Sequence, residues 1–274
     1  MKNLYLWLLT PLIIYIIYVA VFYVLQRRIL FPVSALPAHN ASLVEKAGGE
    51  LISLAFNDEG QTAEIAYLPP LIKKDGQHYP VILLAHGNGN IIDDWAGRMD
   101  FMRQQGFAIV LAEYPGYGRS QGRPSYQTIK QAMRSAYQWI EHNPQLDKDN
   151  IVFVGRSMGG GAVLTLVEDG VNPKALILMS TYSSIADLAK SRGLPSFLVR
   201  DPFDNVSALA KYQGPSYLIH GVADKTVPIS MLHQLRVVAH DASYKIYDTA
   251  HSDTPDDWSQ FWQDALAFVR PKIL

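Results

Sequence analysis

The chain of 274 residues has no cysteine. That absence excludes disulfides, cysteine-ligated zinc, iron–sulfur clusters and a lipid-modified N-terminal cysteine, and it fits either side of a membrane. Excess charge is lacking too: 24 Lys and Arg oppose 25 Asp and Glu, for a formal net charge of −1. A nucleic acid or other strongly charged partner is therefore not expected. There is no internal repeat, no low-complexity tract and no His-Glu-x-x-His. Gly221-Val-Ala-Asp-Lys-Thr226 lacks the glycine that precedes lysine in a phosphate-binding loop, and Gly116-x-Gly118-x-x-x-Gly122 misses the dinucleotide spacing. No nucleotide, cofactor or catalytic metal is expected.

What the chain does have is a long uncharged run, Leu4 to Leu25. As a helix it extends about 33 Å, enough to cross a hydrocarbon core of about 30 Å. Tyr5, Trp7 and Tyr23 lie near its ends, where amphipathic rings favour the interface. A cleaved signal peptide is the rival reading, but its apolar core would be shorter and no small-x-small cleavage site precedes Arg27. The expectation is a single-pass membrane anchor over residues 1–28, a linker over 29–50 and one large domain over 51–274. The α-amino group and Lys2 balance Arg27 and Arg28, so the flanking charges give no orientation.

The domain reads as alternating strands and helices. Leu51–Phe56 and Ala63–Leu68 form a hairpin pattern around Asn57-Asp-Glu-Gly60, and charged Lys73–Gln77 reads as a solvated loop. Val81–Ala85, Phe107–Ala112, Ile151–Val154, Ala175–Met179, Ser216–His220 and Tyr244–Tyr247 are short apolar or β-branched runs expected as strands. Between them, Ile91–Gln105 and the stretch after Ser125 carry apolar residues at helical spacing, and Trp258–Val269 closes the chain as an amphipathic helix. Residues of about 182–213 are less regular and are expected as a small lid. This alternation predicts an α/β fold: a mostly parallel central sheet with helices on both faces.

Ile151-Val-Phe-Val-Gly155-Arg-Ser157-Met-Gly159 joins a strand to a helix through Gly-x-Ser-x-Gly. The bare motif recurs by chance in roughly one chain in ten of this size, so its setting decides its meaning. A sharp strand-to-helix turn lifts the serine oxygen above the sheet edge, and the Met158 amide at the helix start points where an oxyanion would form. A free hydroxyl is a poor nucleophile and needs a base; imidazole can take the proton and a carboxylate can orient the imidazole. Ligands in such sheets bind beyond the carboxyl ends of strands. Asp224 and His251 follow two later strands, in the chain order Ser, Asp, His. Asp248 and Asp253 are too local to His251 to be preferred, and His86 and His220, each in a strand-end His-Gly pair, read as loop braces. The second oxyanion donor is expected in the loop after Val81–Ala85, at the Asn88 amide.

With these residues in view, the chain resembles serine hydrolases of the α/β-hydrolase fold. More narrowly it resembles the membrane-anchored BEM46-like group, related to the ABHD proteins. Gln26-Arg-Arg-Ile-Leu-Phe-Pro32, His86-Gly-Asn88, Tyr114-Pro-Gly-Tyr-Gly-Arg-Ser120, Gly155-x-Ser157-x-Gly159, Phe203-Asp-Asn205, His220-Gly-x-x-Asp224-x-x-Val-Pro228 and His251 carry the resemblance. Its His-Gly-Asn-Gly-Asn loop is one residue shorter than the group's usual loop. The resemblance implies hydrolysis of an acyl bond through an acyl-serine intermediate, on a small-molecule or lipid substrate. A peptidase or amidase using the same residues is the alternative, and a membrane-tethered binding module without catalysis is the third reading.

Overall fold

The computed structural model describes residues 2–72, 76 and 78–273, with the side chains of residues 2–8 excepted. The loop expected over Lys73–Gln77 lies, apart from Gly76, outside the described residues, as do the Tyr5 and Trp7 side chains.

Among the described residues eight strands form one sheet: β1 (Glu50–Ala55), β2 (Thr62–Leu68), β3 (Tyr79–Ala85), β4 (Ala108–Ala112), β5 (Leu146–Arg156), β6 (Ala175–Met179), β7 (Pro215–Gly221) and β8 (Asp241–Tyr247). Their spatial order is β1-β2-β4-β3-β5-β6-β7-β8. β1 and β2 pair antiparallel, β2 runs antiparallel to β4, and the strands from β4 to β8 are parallel. The chain builds outward from β3 to β4, then returns across β3 to lay down β5 and continue the other way. Loops leaving β3 and β5 therefore diverge, and a crevice opens at their carboxyl ends.

Period-two alternation decides which side each strand residue faces. Ile65, Tyr67, Val81, Leu83, Ala85, Ile151 and Phe153 pack into one layer. It is covered by α4 (Tyr126–His142), α5 (Met158–Glu168), α7 (Asn205–Leu209) and α8 (Ile229–Val238). Ala66, Leu68, Ile82, Leu84, Val152 and Val154 face the other layer. That layer is closed by α2 (Ser42–Lys46), α3 (Asp100–Gln104) and α9 (Trp258–Ile273). α6 (Ile185–Lys190) adds Ile185 to the first layer, and Leu30 at the end of α1 (Lys2–Leu30) packs against it.

Two segments differ from the sequence expectation. Ile91–Gln105 is not one helix but a 3-10 stretch, Ile92–Met99, followed by α3. The Asp94 carboxylate takes the Ile91 N–H, and the Glu113 carboxylate takes that of Ile92. Side chains thus claim donors at the entrance, which favours the tighter turn. The expected apolar face is nonetheless buried: Ile91, Ile92, Trp95, Met99 and Met102 are all in the core. Residues 29–50 are also more tied down than a linker would be. α1 continues through Ile29 and Leu30, the Asn40 N–H donates to Asp93 at 2.5 Å, and Val44 of α2 is fully buried.

α4 begins as the sequence indicates. The Ser125 hydroxyl accepts from the Thr128 N–H, and Ile129, Ala132, Met133, Ala136 and Ile140 face inward. The segment between β6 and β7 carries α6, a 3-10 turn at Ser196–Leu198, and α7. Its Leu194 and Phe203 pack down and are buried, whereas Phe197 is 84% exposed.

Candidate active site

β5 lies at the centre of the sheet between β3 and β6 and ends at Arg156; α5 begins at Met158. Ser157, the single residue between them, has φ 53° and ψ −115°. A non-glycine residue in that region is strained, and the strain turns its side chain out of the strand line. The turn is possible only because helix and strand nearly touch. A Cβ on Gly155 would lie 2.5 Å from the Gly159 carbonyl oxygen, and one on Gly159 would lie 1.9 Å from that of Ala85.

Asp224 follows β7 and His251 follows β8. Both reach back across the crevice to Ser157. His251 Nε2 lies 3.0 Å from Ser157 Oγ, and His251 Nδ1 lies 2.6 Å from Asp224 Oδ2. The other oxygen, Oδ1, accepts the N–H groups of Thr226 and Val227 at 2.8 and 2.7 Å. Burial alone would raise the Asp224 carboxyl. The hydrogen bonds from His251 and the Val227 N–H, with the nearby imidazoles of His251 and His220, hold it below the usual carboxylate range. Asp224 thus stays ionised and its orientation is fixed from both oxygens.

The two other strand-end histidines brace the loops. His220 donates from Nε2 to the Val227 carbonyl at 2.8 Å, clamping the turn that supplies N–H groups to Asp224. Its pKa is lowered, chiefly by burial. His86 packs Nδ1 at 2.8 Å from the Gly87 carbonyl and Nε2 at 2.7 Å from the buried Glu113 carboxylate. Tyr114 donates its hydroxyl to the His86 carbonyl. These contacts hold the loop that carries Asn88.

Met158 is the first residue of α5, so its N–H has no partner within the helix. Among the described residues the Asn88 N–H meets no protein acceptor. Asn88, Ser157 and His251 line one pocket of about 410 Å³. Among the described residues neither backbone donor has a protein acceptor.

That pocket also contains two arginines that the sequence did not single out. Arg156 donates from Nη2 to the carbonyls of His251 and Ser252 at 3.1 and 3.2 Å, tying the histidine loop to β5. Burial, and then the charge of Arg98, lowers its pKa. Arg98 lies over the rings of Trp95 and Trp258, 5.6 and 5.8 Å from their centres. The only sequence clue was that position 156 separates Gly155 from Ser157, which says nothing of a partner 95 residues away. Among the described residues no group of three or more His, Asp or Glu is placed to hold a metal ion.

Comparison with known proteins bears on the fold. A family model described as the alpha/beta hydrolase fold matches residues 80–201. An uncharacterised protein of Mycobacterium tuberculosis is 28% identical over 225 residues, covering 81% of this chain and 77% of that protein. The alpha/beta hydrolase domain-containing protein WAV2 of Arabidopsis thaliana is 33% identical over 186 residues, 59% of this chain and 60% of that one. Among solved structures, an esterase of Pyrococcus furiosus superposes with a TM-score of 0.67 at 15% identity, covering 87% of this chain and 97% of the esterase.

Proposed function

The chain has the α/β-hydrolase fold, and on that premise we propose that it is a membrane-anchored serine hydrolase cleaving an acyl ester. Ser157 is the nucleophile, His251 the proton shuttle and Asp224 the orienting carboxylate. The observation that carries the reading is the unbroken line from Ser157 Oγ through both ring nitrogens of His251 to Asp224, with links of 3.0 and 2.6 Å. His251 Nε2 takes the hydroxyl proton as Oγ attacks the ester carbonyl. The carbonyl oxygen becomes an oxyanion between the N–H groups of Met158 and Asn88. Collapse expels the alcohol, which receives the proton from His251, and leaves acyl-Ser157. Water then attacks with His251 again as base, and the acid departs.

The anchoring half of the reading rests on α1. Leu9–Leu30 has a mean hydropathy of 2.0 and only 6% of it is buried. Its 22 residues extend about 33 Å, against a hydrocarbon core of about 30 Å. In this reading the domain runs over 51–274 with its lid near 182–213, and α1 is the attachment.

The test is labelling of the full-length chain, in detergent micelles, with a fluorophosphonate. The expected result is labelling of the wild type that disappears in Ser157→Ala and His251→Ala, with ester turnover falling by roughly 10⁴-fold or more in each. Labelling that persists in Ser157→Ala would sink the assignment. Turnover of aminoacyl-arylamides without turnover of any p-nitrophenyl ester would move it to an amidase.

A further inference from the structure

α1 does more than end near the domain. Tyr15, Tyr18, Phe22, Gln26 and Ile29 recur at three- and four-residue spacing and form one helix face. That face meets the lid. The hydroxyls of Tyr15 and Tyr18 donate to the carbonyls of Gly193 and Arg192 at 3.2 and 3.0 Å. Gln26 donates to the Leu198 carbonyl at 3.1 Å and accepts the Arg200 N–H at 2.8 Å. Arg27 grips Asp201 through two nitrogens, at 2.8 and 3.2 Å.

Between helix and lid lies a mostly apolar cavity of about 210 Å³. Phe22, Ile29 and Leu30 form one wall; Ile185, Leu188 and Ala189 of α6 form the other. Asn88 lines it as well, and its side chain donates to the Leu30 carbonyl at 3.1 Å. Asn88 also lines the pocket holding Ser157 and His251. An acyl group whose carbonyl oxygen sits on the Asn88 N–H therefore has an apolar channel beside it, while the polar pocket with Arg98 and Arg156 is left to the alcohol.

We propose that the last turns of α1 and helix α6 of the lid together form the acyl-chain site, which takes a single aliphatic chain of a membrane-borne ester. This rests on the serine-hydrolase reading. The size argues for one chain, since sites enclosing whole drug-sized ligands run to about 300–1,000 Å³. The source of the chain follows from the depth of the contacts. Tyr15 and Tyr18 meet the lid about 18–22 Å along the helix from Leu30. The lid thus lies against the apolar run of α1, which brings the cavity between them next to the anchor.

The experiment measures kcat/KM of the full-length chain in micelles for a series of p-nitrophenyl esters from acetate through dodecanoate to octadecanoate. It compares wild type with Ile29→Trp, which fills the cavity from the anchor, and Leu188→Trp, which fills it from the lid. Each methylene denied burial costs about fourfold, so excluding two lowers the dodecanoate-to-acetate ratio about fifteenfold. Phe22→Ala widens the same cavity and moves the optimum to longer chains; it decides the matter should a tryptophan variant fail to fold. A ratio unchanged within twofold in the folded tryptophan variants, or an unmoved optimum in Phe22→Ala, overturns the acyl site while leaving the nucleophile intact. Absence of fluorophosphonate labelling in the folded wild type overturns the hydrolase reading and this inference with it.

Discussion

At the scale of single residues, Asp224 ties the site to pH. Its folded carboxyl is held below the ordinary range. A depressed carboxyl contributes stability that is fully present above the unfolded value of about 3.9 and is lost as pH falls through the folded value. Asp93, Asp169 and Asp264 are lowered in the same direction by their cationic partners. Acid should therefore weaken the fold below about pH 4. Asp224→Asn should make that decline shallower, as urea unfolding between pH 2.5 and about 7 would report. The same substitution should lower kcat about 10⁴-fold while the chain remains folded, because the imidazole loses the partner that fixes its tautomer.

At the scale of elements, the contact between α5 and the centre of the sheet is the least forgiving. A methyl on Gly159 would meet the Ala85 and His86 carbonyls of β3 and its following loop. Gly159→Ala should cost about 3 kcal/mol or more, since rigid backbone must move. Gly97 has nothing within 4 Å and no positive φ, so Gly97→Ala should be neutral within about 0.5 kcal/mol. Paired thermal melts of the two variants check the contrast. Such elements were largely legible in the sequence. Continuous apolar runs at Val81–Ala85 and Ile151–Val154 marked strands buried on both faces, and Ser125 marked the start of α4. Ser157, Asp224 and His251 were legible for a related reason: each follows a strand, so the topology gathers them at one edge. The 3-10 stretch at Ile92–Met99 was not legible, because side chains of Asp94 and Glu113 override a pattern that reads as helix. Nor was the role of Arg156, Gln26 or Leu30. Their partners lie 58 to 174 residues away, and local periodicity carries no record of such pairs.

At the scale of the whole molecule, Asp201 joins three parts. The buried carboxylate accepts from Arg27 of α1 and from the Tyr126 N–H at the start of α4, and it belongs to the lid. Arg27→Ala leaves that charge with two N–H donors fewer. The cost should be about 1–2 kcal/mol, reduced by the partial exposure of Arg27. In a chain of this size that lowers Tm by about 2–6 °C, measurable by differential scanning fluorimetry in micelles. The same variant should loosen the lid, so limited proteolysis near the exposed Phe197 should become faster.

The hydrogen bond from Asn88 to the Leu30 carbonyl has one more consequence. The sheet that makes the domain a folding unit starts at Glu50, yet the loop proposed to offer its N–H to the oxyanion is fastened to the final turn of α1. Folding unit and working unit thus begin at different places in the chain. Proteolytic release between residues 31 and 41 would free a body that still holds Ser157, His251 and Asp224, but has lost a wall and a fastening. On the proposed reading, α1 is then a component of the catalyst, and a fragment released from it would differ from the whole chain in its catalysis and not only in its attachment.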